Sequence, residues 1–106
     1  MATQIFVNMQ VRDLSRSKAF FEKLGYAFNP NFPNDDAASL VLTDTICAVL
    51  LTAQTMTRFL PNGKTPADAT KTTEVLLAVS FDSKEAVNAT YDKAIAAGAT
   101  ECRPAE

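Results

Sequence analysis

The 106-residue chain contains no histidine, and that absence removes more chemistry than any other feature of its composition. Imidazole is the commonest protein metal ligand and the usual acid or base near neutral pH. Without it, no serine, threonine or cysteine has a histidine base beside it, and a zinc, iron or nickel site would need carboxylates, amides or thiols. Cysteine is scarce too. Cys47 and Cys102 lie far apart with no paired metal spacing, which suits reduced thiols better than a disulfide. The three glycines are dispersed, so there is no glycine-rich phosphate loop. Ten basic residues against twelve acidic ones leave a net charge of −2, and no Lys or Arg cluster is present to track a phosphate backbone. Nucleic acid is not an expected partner. No apolar run approaches the ~20 residues of a membrane span, and MATQIFVNMQ lacks the basic and then apolar pattern of a secretory signal. A cytoplasmic protein with no membrane partner is expected.

What remains is an ordinary globular composition, 47% hydrophobic and 21% charged, in a length that suits one domain. Residues 4–11 (QIFVNMQV) alternate, with Ile5, Val7, Met9 and Val11 opposing Gln4, Phe6, Asn8 and Gln10, which predicts a strand with two unlike faces. Asp13 or Ser15 caps a helix in SRSKAFFEKLG whose inner side is Ala19, Phe20, Leu24 and Phe21, and Gly25 stops it. A short strand is expected near 26–29, and NPNFPNDD reads as a surface loop in which the adjacent Asp35 and Asp36 are solvated charges. Strands follow at 38–42 and 46–52, joined tightly through Thr43, Asp44 and Thr45. The stretch 53–73 is polar and broken by Pro61, Asn62, Gly63 and Pro66; a crossing between two halves and a meander over the core both fit it. Residues 74–81 (EVLLAVSF) form an apolar strand. Asp82 or Ser83 then caps a helix with Ala86, Val87, Tyr91, Ala94 and Ile95 on one face, ended by Gly98. Strand, cap, helix and glycine thus occur twice, consistent with a short internal duplication.

VRDLSRSKAFFEKLGY resembles the opening of the vicinal oxygen chelate superfamily (glyoxalases, bleomycin resistance proteins and dioxygenases), and TTEVLLAVSFDSKEAVNATYDKAIAAGAT resembles the opening of a second such module. The resemblance implies an α+β fold of paired βαβββ modules enclosing a cup. Module one would span about 1–53, a linker about 54–72, and a partial second module about 73–106. After Gly98 only ATECRPAE remains, enough for one short strand where three are expected; a complete pair needs roughly 20 to 30 more residues. A shortened chain, or one whose open sheet edge is covered by a second copy in a homodimer, is the expectation.

The resemblance also places the metal ligands of metal-dependent relatives on Phe6, near Leu50, and on Leu76 or Val75, with the last on a strand missing here. None of these side chains donates a lone pair to a cation. No catalytic residue and no cofactor are therefore expected. The cup-facing residues are Phe6, Asn8, Gln10 and Leu50 from the first module and Leu76, Ala78 and Ser80 from the second. Amides beside an aromatic wall suit a pocket that orients a polar group without titrating it, and the same residues also suit an ordinary half-buried sheet. Arg58 and Phe59 are further pocket candidates, as a carboxylate clamp and a lid, or else an exposed cation beside a packed ring. Tyr26 belongs to the core or the rim. The expectation is a metal-free binder of a small, partly apolar molecule. Two alternatives stay open: a lactoylglutathione lyase-like or dioxygenase-like enzyme, which requires a divalent metal, and an interaction module using the open sheet edge.

Overall fold

The computed structural model describes residues 3–30 and 36–100. Strand β1 (Ile5–Gln10) leads into helix α1 (Leu14–Lys23), then β2 (Ala27–Phe28), β3 (Ala37–Val41) and β4 (Ile46–Leu51), followed by helices α2 (Ala53–Phe59) and α3 (Lys84–Ala96). The four strands form one sheet ordered β1-β4-β3-β2. β4 runs parallel to β1 and antiparallel to β3. The first βαβββ module is thus present as expected, and the fold is α+β.

Each element has a local cause. Asp13 holds β-region backbone angles and its carboxylate accepts the Arg16 N–H at 3.1 Å, which settles the α1 cap on Asp13 and not Ser15. Gly25, at φ 97°, takes the left-handed conformation that turns the chain out of α1. Phe21 then meets Tyr26 edge to face, with ring centroids 6.4 Å apart. In the β3–β4 turn the Thr43 hydroxyl accepts the N–H groups of Thr45 and Ile46, the local hydroxyl-to-backbone bonding expected of a threonine-rich hairpin.

The ladder sorts side chains onto two faces, since directly paired residues project the same way. Val7, Met9, Ala48, Leu50, Ala38 and Leu40 share the face on which α1 lies. Phe6, Asn8, Gln10, Cys47, Val49, Leu51, Ala37 and Ser39 share the other. There, Ala37, Val49, Leu51 and Met56 form a buried cluster with Leu60 packed against it.

Several expectations need correction. The polar stretch after β4 opens with a helix. Thr52 caps α2, its hydroxyl accepting the Thr55 N–H at 3.4 Å and donating to the Thr55 hydroxyl at 3.1 Å. Met56 and Leu60, four apart, turn inward onto the sheet. This sparse apolar signal is easily hidden among threonines. Thr52→Ala removes the cap and is expected to cost about 1 kcal/mol, read as a fall in the thermal midpoint. An unchanged midpoint would show that tertiary packing alone holds α2.

The apolar stretch 74–81 has no ladder partner among the described residues. Apolar, β-prone composition reports what pairs well, but a strand also needs a neighbour edge, and the other strands expected of a second module are not among the described residues. α3 forms nonetheless, capped by Ser83 through a 3.1 Å bond to the Ala86 N–H. Ala86, Tyr91 and Ala94 are half-buried, while Val87 and Ile95 stay exposed and no residue of α3 is fully buried. Ala19 of α1 is likewise exposed. The short strand anticipated in the last residues falls mostly outside the described ones, as do Asp35 and Cys102. Cys47 is a free thiol.

Candidate functional site

The sheet face opposite α1 gathers the polar residues that the alternation of β1 singled out. Asn8, Gln10 and Ser39 all project from it, with Phe6, Val49 and Leu51 between and beside them. α2 roofs one end through Met56. Between α2 and β1 lies an open cleft of about 310 Å³ lined by Asn8, Met56, Phe59 and Leu60. Asn8 is exposed, and its Nδ2 donates to the Phe6 carbonyl at 3.3 Å.

Two atoms on this face stand apart. Gln10 Oε1 and the Ser39 hydroxyl oxygen are buried and have no hydrogen-bond partner among the described residues, and Ser39 is only 3% exposed. Each such group costs on the order of 1–3 kcal/mol relative to a paired one, so it marks either strain held in reserve or a place where a further molecule supplies the bond. Ser39 went unnoticed in the sequence because it sits inside the apolar run ASLVL. A hydroxyl in a strand buried on both faces was the available signal.

The remaining candidates divide. Phe59 joins Asn8 at the cleft but is 70% exposed, a rim ring and not a packed one. Arg58 is exposed and lies 3.8 Å from the Asp36 carboxylate, so Asp36 is paired and the cation is held beside the start of β3. Leu50 is displaced from the group. It pairs in register with Met9 and Ala38, projects to the α1 face and is 1% exposed, so it is core. Alignment to a strand fixes position only to within a residue, and a shift of one reverses the face. Leu76 is 88% exposed. Ala78 and Ser80 line a second cleft of about 350 Å³ with Tyr26, Leu42, Thr43 and Ile46, beside the β3–β4 turn. Neither of these two clefts joins Leu76, Ala78 or Ser80 to Phe6 and Asn8.

A larger groove of about 460 Å³ runs between α1 and the end of α3, lined in part by Arg12, Arg16, Lys23 and Phe20. Its cations are exposed, and it contains no buried unpartnered side chain among the described residues. Nearby electrostatics are modest. Asp68 accepts the Thr70 hydroxyl at 2.6 Å and the Thr70 N–H at 3.0 Å. The Thr70 hydroxyl, then its N–H, then the charge of Arg12 lower the Asp68 pKa from its ordinary value against a small desolvation. A depressed carboxylate stabilises the fold above its unfolded pKa, and that contribution fades as pH falls through the folded one. An NMR titration should place the Asp68 midpoint below the ordinary aspartate value, and Thr70→Val should bring it back up.

Residues 3–41 match the family of bleomycin resistance protein-like N-terminal domains. A hypothetical protein from S. aureus is structurally similar, with a TM-score of 0.73 and 22% identity over 92% of this chain and 71% of that one. A glyoxalase/bleomycin resistance protein/dioxygenase family enzyme from Burkholderia phytofirmans PsJN is also similar, with a TM-score of 0.60 and 22% identity over 92% of this chain and 74% of that one. The chain has the glyoxalase/bleomycin resistance protein/dioxygenase fold. No curated protein matches the chain with significance.

The face bearing Phe6, Asn8 and Gln10, joined by Ser39, is the one that the resemblance implies would line a cup. Its donors are two carboxamides, a hydroxyl and the half-buried Cys47 thiol. Among the described residues no three His, Cys, Asp or Glu side chains converge. Divalent cations of this fold class require several carboxylate, imidazole or thiolate ligands together, and this donor set does not fit one. No helix among the described residues is long and apolar enough to cross a membrane.

Proposed function

We propose that this chain is a metal-free binding module of the glyoxalase/bleomycin resistance type that holds a small, neutral, partly apolar molecule against the cup face, acting in the cytoplasm as a homodimer. The reading is carried by the two buried, unpartnered polar atoms, Gln10 Oε1 and Ser39 Oγ, on the face that also bears Asn8 and Phe6. Gln10 Oε1 accepts and the Ser39 hydroxyl accepts or donates, so the complementary ligand carries an N–H or O–H donor beside an apolar body. Phe6, Phe59, Met56 and Leu60 offer that body its contact surface. The amides, hydroxyl and apolar groups of this face suit capture of a ligand without transforming it. A free thiol at Cys47 suits a reducing compartment.

The test is a thermal-shift screen of the purified chain against neutral aromatic amides, phenols and matched hydrocarbons, with metal content measured on the same sample. Amides and phenols are expected to raise the midpoint saturably while the hydrocarbons do not, with metal far below one equivalent. A near-stoichiometric divalent metal, or equal response to all compounds, would overturn it.

A further inference from the structure

Pro61, Asn62, Gly63 and Lys64 make a closed turn directly after α2. The Lys64 N–H donates to the Pro61 carbonyl at 3.1 Å. Gly63 stands at φ 86°, and among the described residues no residue other than glycine has a positive φ. A single left-handed residue at the third position of a closed turn defines type II, with Asn62 at the second position. Glycine alone holds that third position without strain. The closing bond of such a turn uses the N–H of the fourth residue and leaves that of the third unused. No acceptor meets the Gly63 N–H among the described residues.

Asn62 and Gly63 are both exposed, and nothing lies within 4 Å of the place a Gly63 Cβ would occupy. An asparagine carboxamide carbon and the next residue's nitrogen close a five-membered ring, so a reaction between them gains the advantage of proximity. The requirement is a following N–H that is neither bonded nor screened by a side chain. The other described asparagines fail it for separate reasons. Asn29 precedes Pro30, which has no N–H. Asn88 lies inside α3, where the Ala89 N–H is held by the helix's own bonding. Asn8 lies inside β1, where the Ile5 and Val11 N–H groups donate to Thr45 and Leu51, and the alternation of a parallel ladder turns the Met9 N–H the same way. Asn31 and Asn34 lie outside the described residues. Only Asn62 precedes a glycine.

We propose that Asn62 is a site of spontaneous covalent modification, with the Gly63 nitrogen as nucleophile on the Asn62 carboxamide carbon. Hydroxide takes the Gly63 amide proton and the bond from nitrogen to Cγ forms. The bond from Cγ to the side-chain nitrogen then breaks, and ammonia leaves on a proton from water. The product is a cyclic imide. Water opens either of its two carbonyl–nitrogen bonds, which gives aspartate or isoaspartate at position 62 without oxidation or reduction. Both products add one negative charge to a chain of net charge −2. Isoaspartate also routes the main chain through the former side-chain carbon, which enlarges the ring closed by the Lys64 N–H and undoes the turn. The change falls two residues after Leu60, which ends α2, packs on the buried cluster and lines the cleft beside Asn8 and Phe59.

The test is incubation of the purified full chain at neutral and mildly alkaline pH, followed by trypsin digestion and mass spectrometry. Cleavage after Arg58 and Lys64 isolates residues 59–64, in which Asn62 is the only amide side chain. That peptide is expected to gain the mass of an amide turned acid, at a rate proportional to hydroxide, and to accept methyl label from an isoaspartate methyltransferase. Asn62→Gln lengthens an exposed side chain so that ring closure needs six members; it is expected to lose the mass gain while keeping the thermal midpoint of the wild type. A 59–64 peptide that stays unmodified while another asparagine reacts would overturn the assignment. Acid without isoaspartate, or an equal mass gain in Asn62→Gln, would overturn the role of the Gly63 nitrogen.

Discussion

Leu51→Ala is expected to lower the stability of the fold by about 3 kcal/mol, at the centre of the range for deleting three methylene-sized groups from a closed core. Leu51 is 1% exposed and belongs to the cluster with Ala37, Val49 and Met56, where α2 meets the sheet. Its loss leaves a void that two flanking strands and a capped helix cannot readily fill. In a domain of this size each kcal/mol moves the thermal midpoint by roughly 4–8 °C, so calorimetry should record a drop of about 12–24 °C. Phe59→Ala is the matched control. Its ring is 70% exposed, and truncation should stay within about 0.5 kcal/mol of wild type, as for other surface changes. If Phe59→Ala cost as much as Leu51→Ala, the ring would be packed and the cleft beside Asn8 would not be open.

The second large effect has opposite signs in two assays. Gln10→Leu and Ser39→Ala each remove a buried polar atom that has no partner among the described residues, so each is expected to raise the stability of the unliganded protein by about 1 kcal/mol. Binding of benzamide, whose N–H groups and ring suit this face, should weaken by roughly tenfold in each, the loss of one hydrogen bond in a desolvated site. A residue kept for structure alone loses stability when truncated; a residue kept for a ligand gains stability and loses affinity. Should both substitutions destabilise the protein and leave benzamide binding unchanged, Gln10 and Ser39 would be structural.

The contrast between what the sequence made legible and what it hid follows from the kind of signal involved. β1 is visible because its alternation runs over eight residues, interrupted only at Phe6, and α1 because Asp13, Phe20, Phe21, Leu24 and Gly25 mark its start, side and end. Those same residues carried the resemblance, and the match over 3–41 falls on them. Asn8 and Gln10 were legible as one face for the same reason. Ser39 was hidden because period-two reasoning fails in a strand covered on both sides, where Ala37, Ala38, Ser39 and Leu40 are all buried. Leu50 was assigned to the cup because an alignment does not fix parity, whereas the register with Met9 does. The composition of 74–81 predicts a strand, but composition does not state whether a neighbouring edge is there to pair with it. Arg58 and Asp36 lie 22 positions apart, and their pairing depends on the α2 helix, whose sparse apolar signal is hidden among threonines.

The most direct test of the account is a titration of the isotopically labelled chain with benzamide, followed by amide NMR. The account predicts saturable shifts, with affinity on the order of millimolar for so small a probe, concentrated at Asn8, Gln10, Ser39, Val49 and Phe59 and absent from the groove between Arg16 and Gly98. Shifts confined to that groove, or none that saturate anywhere on the cup face, would contradict it.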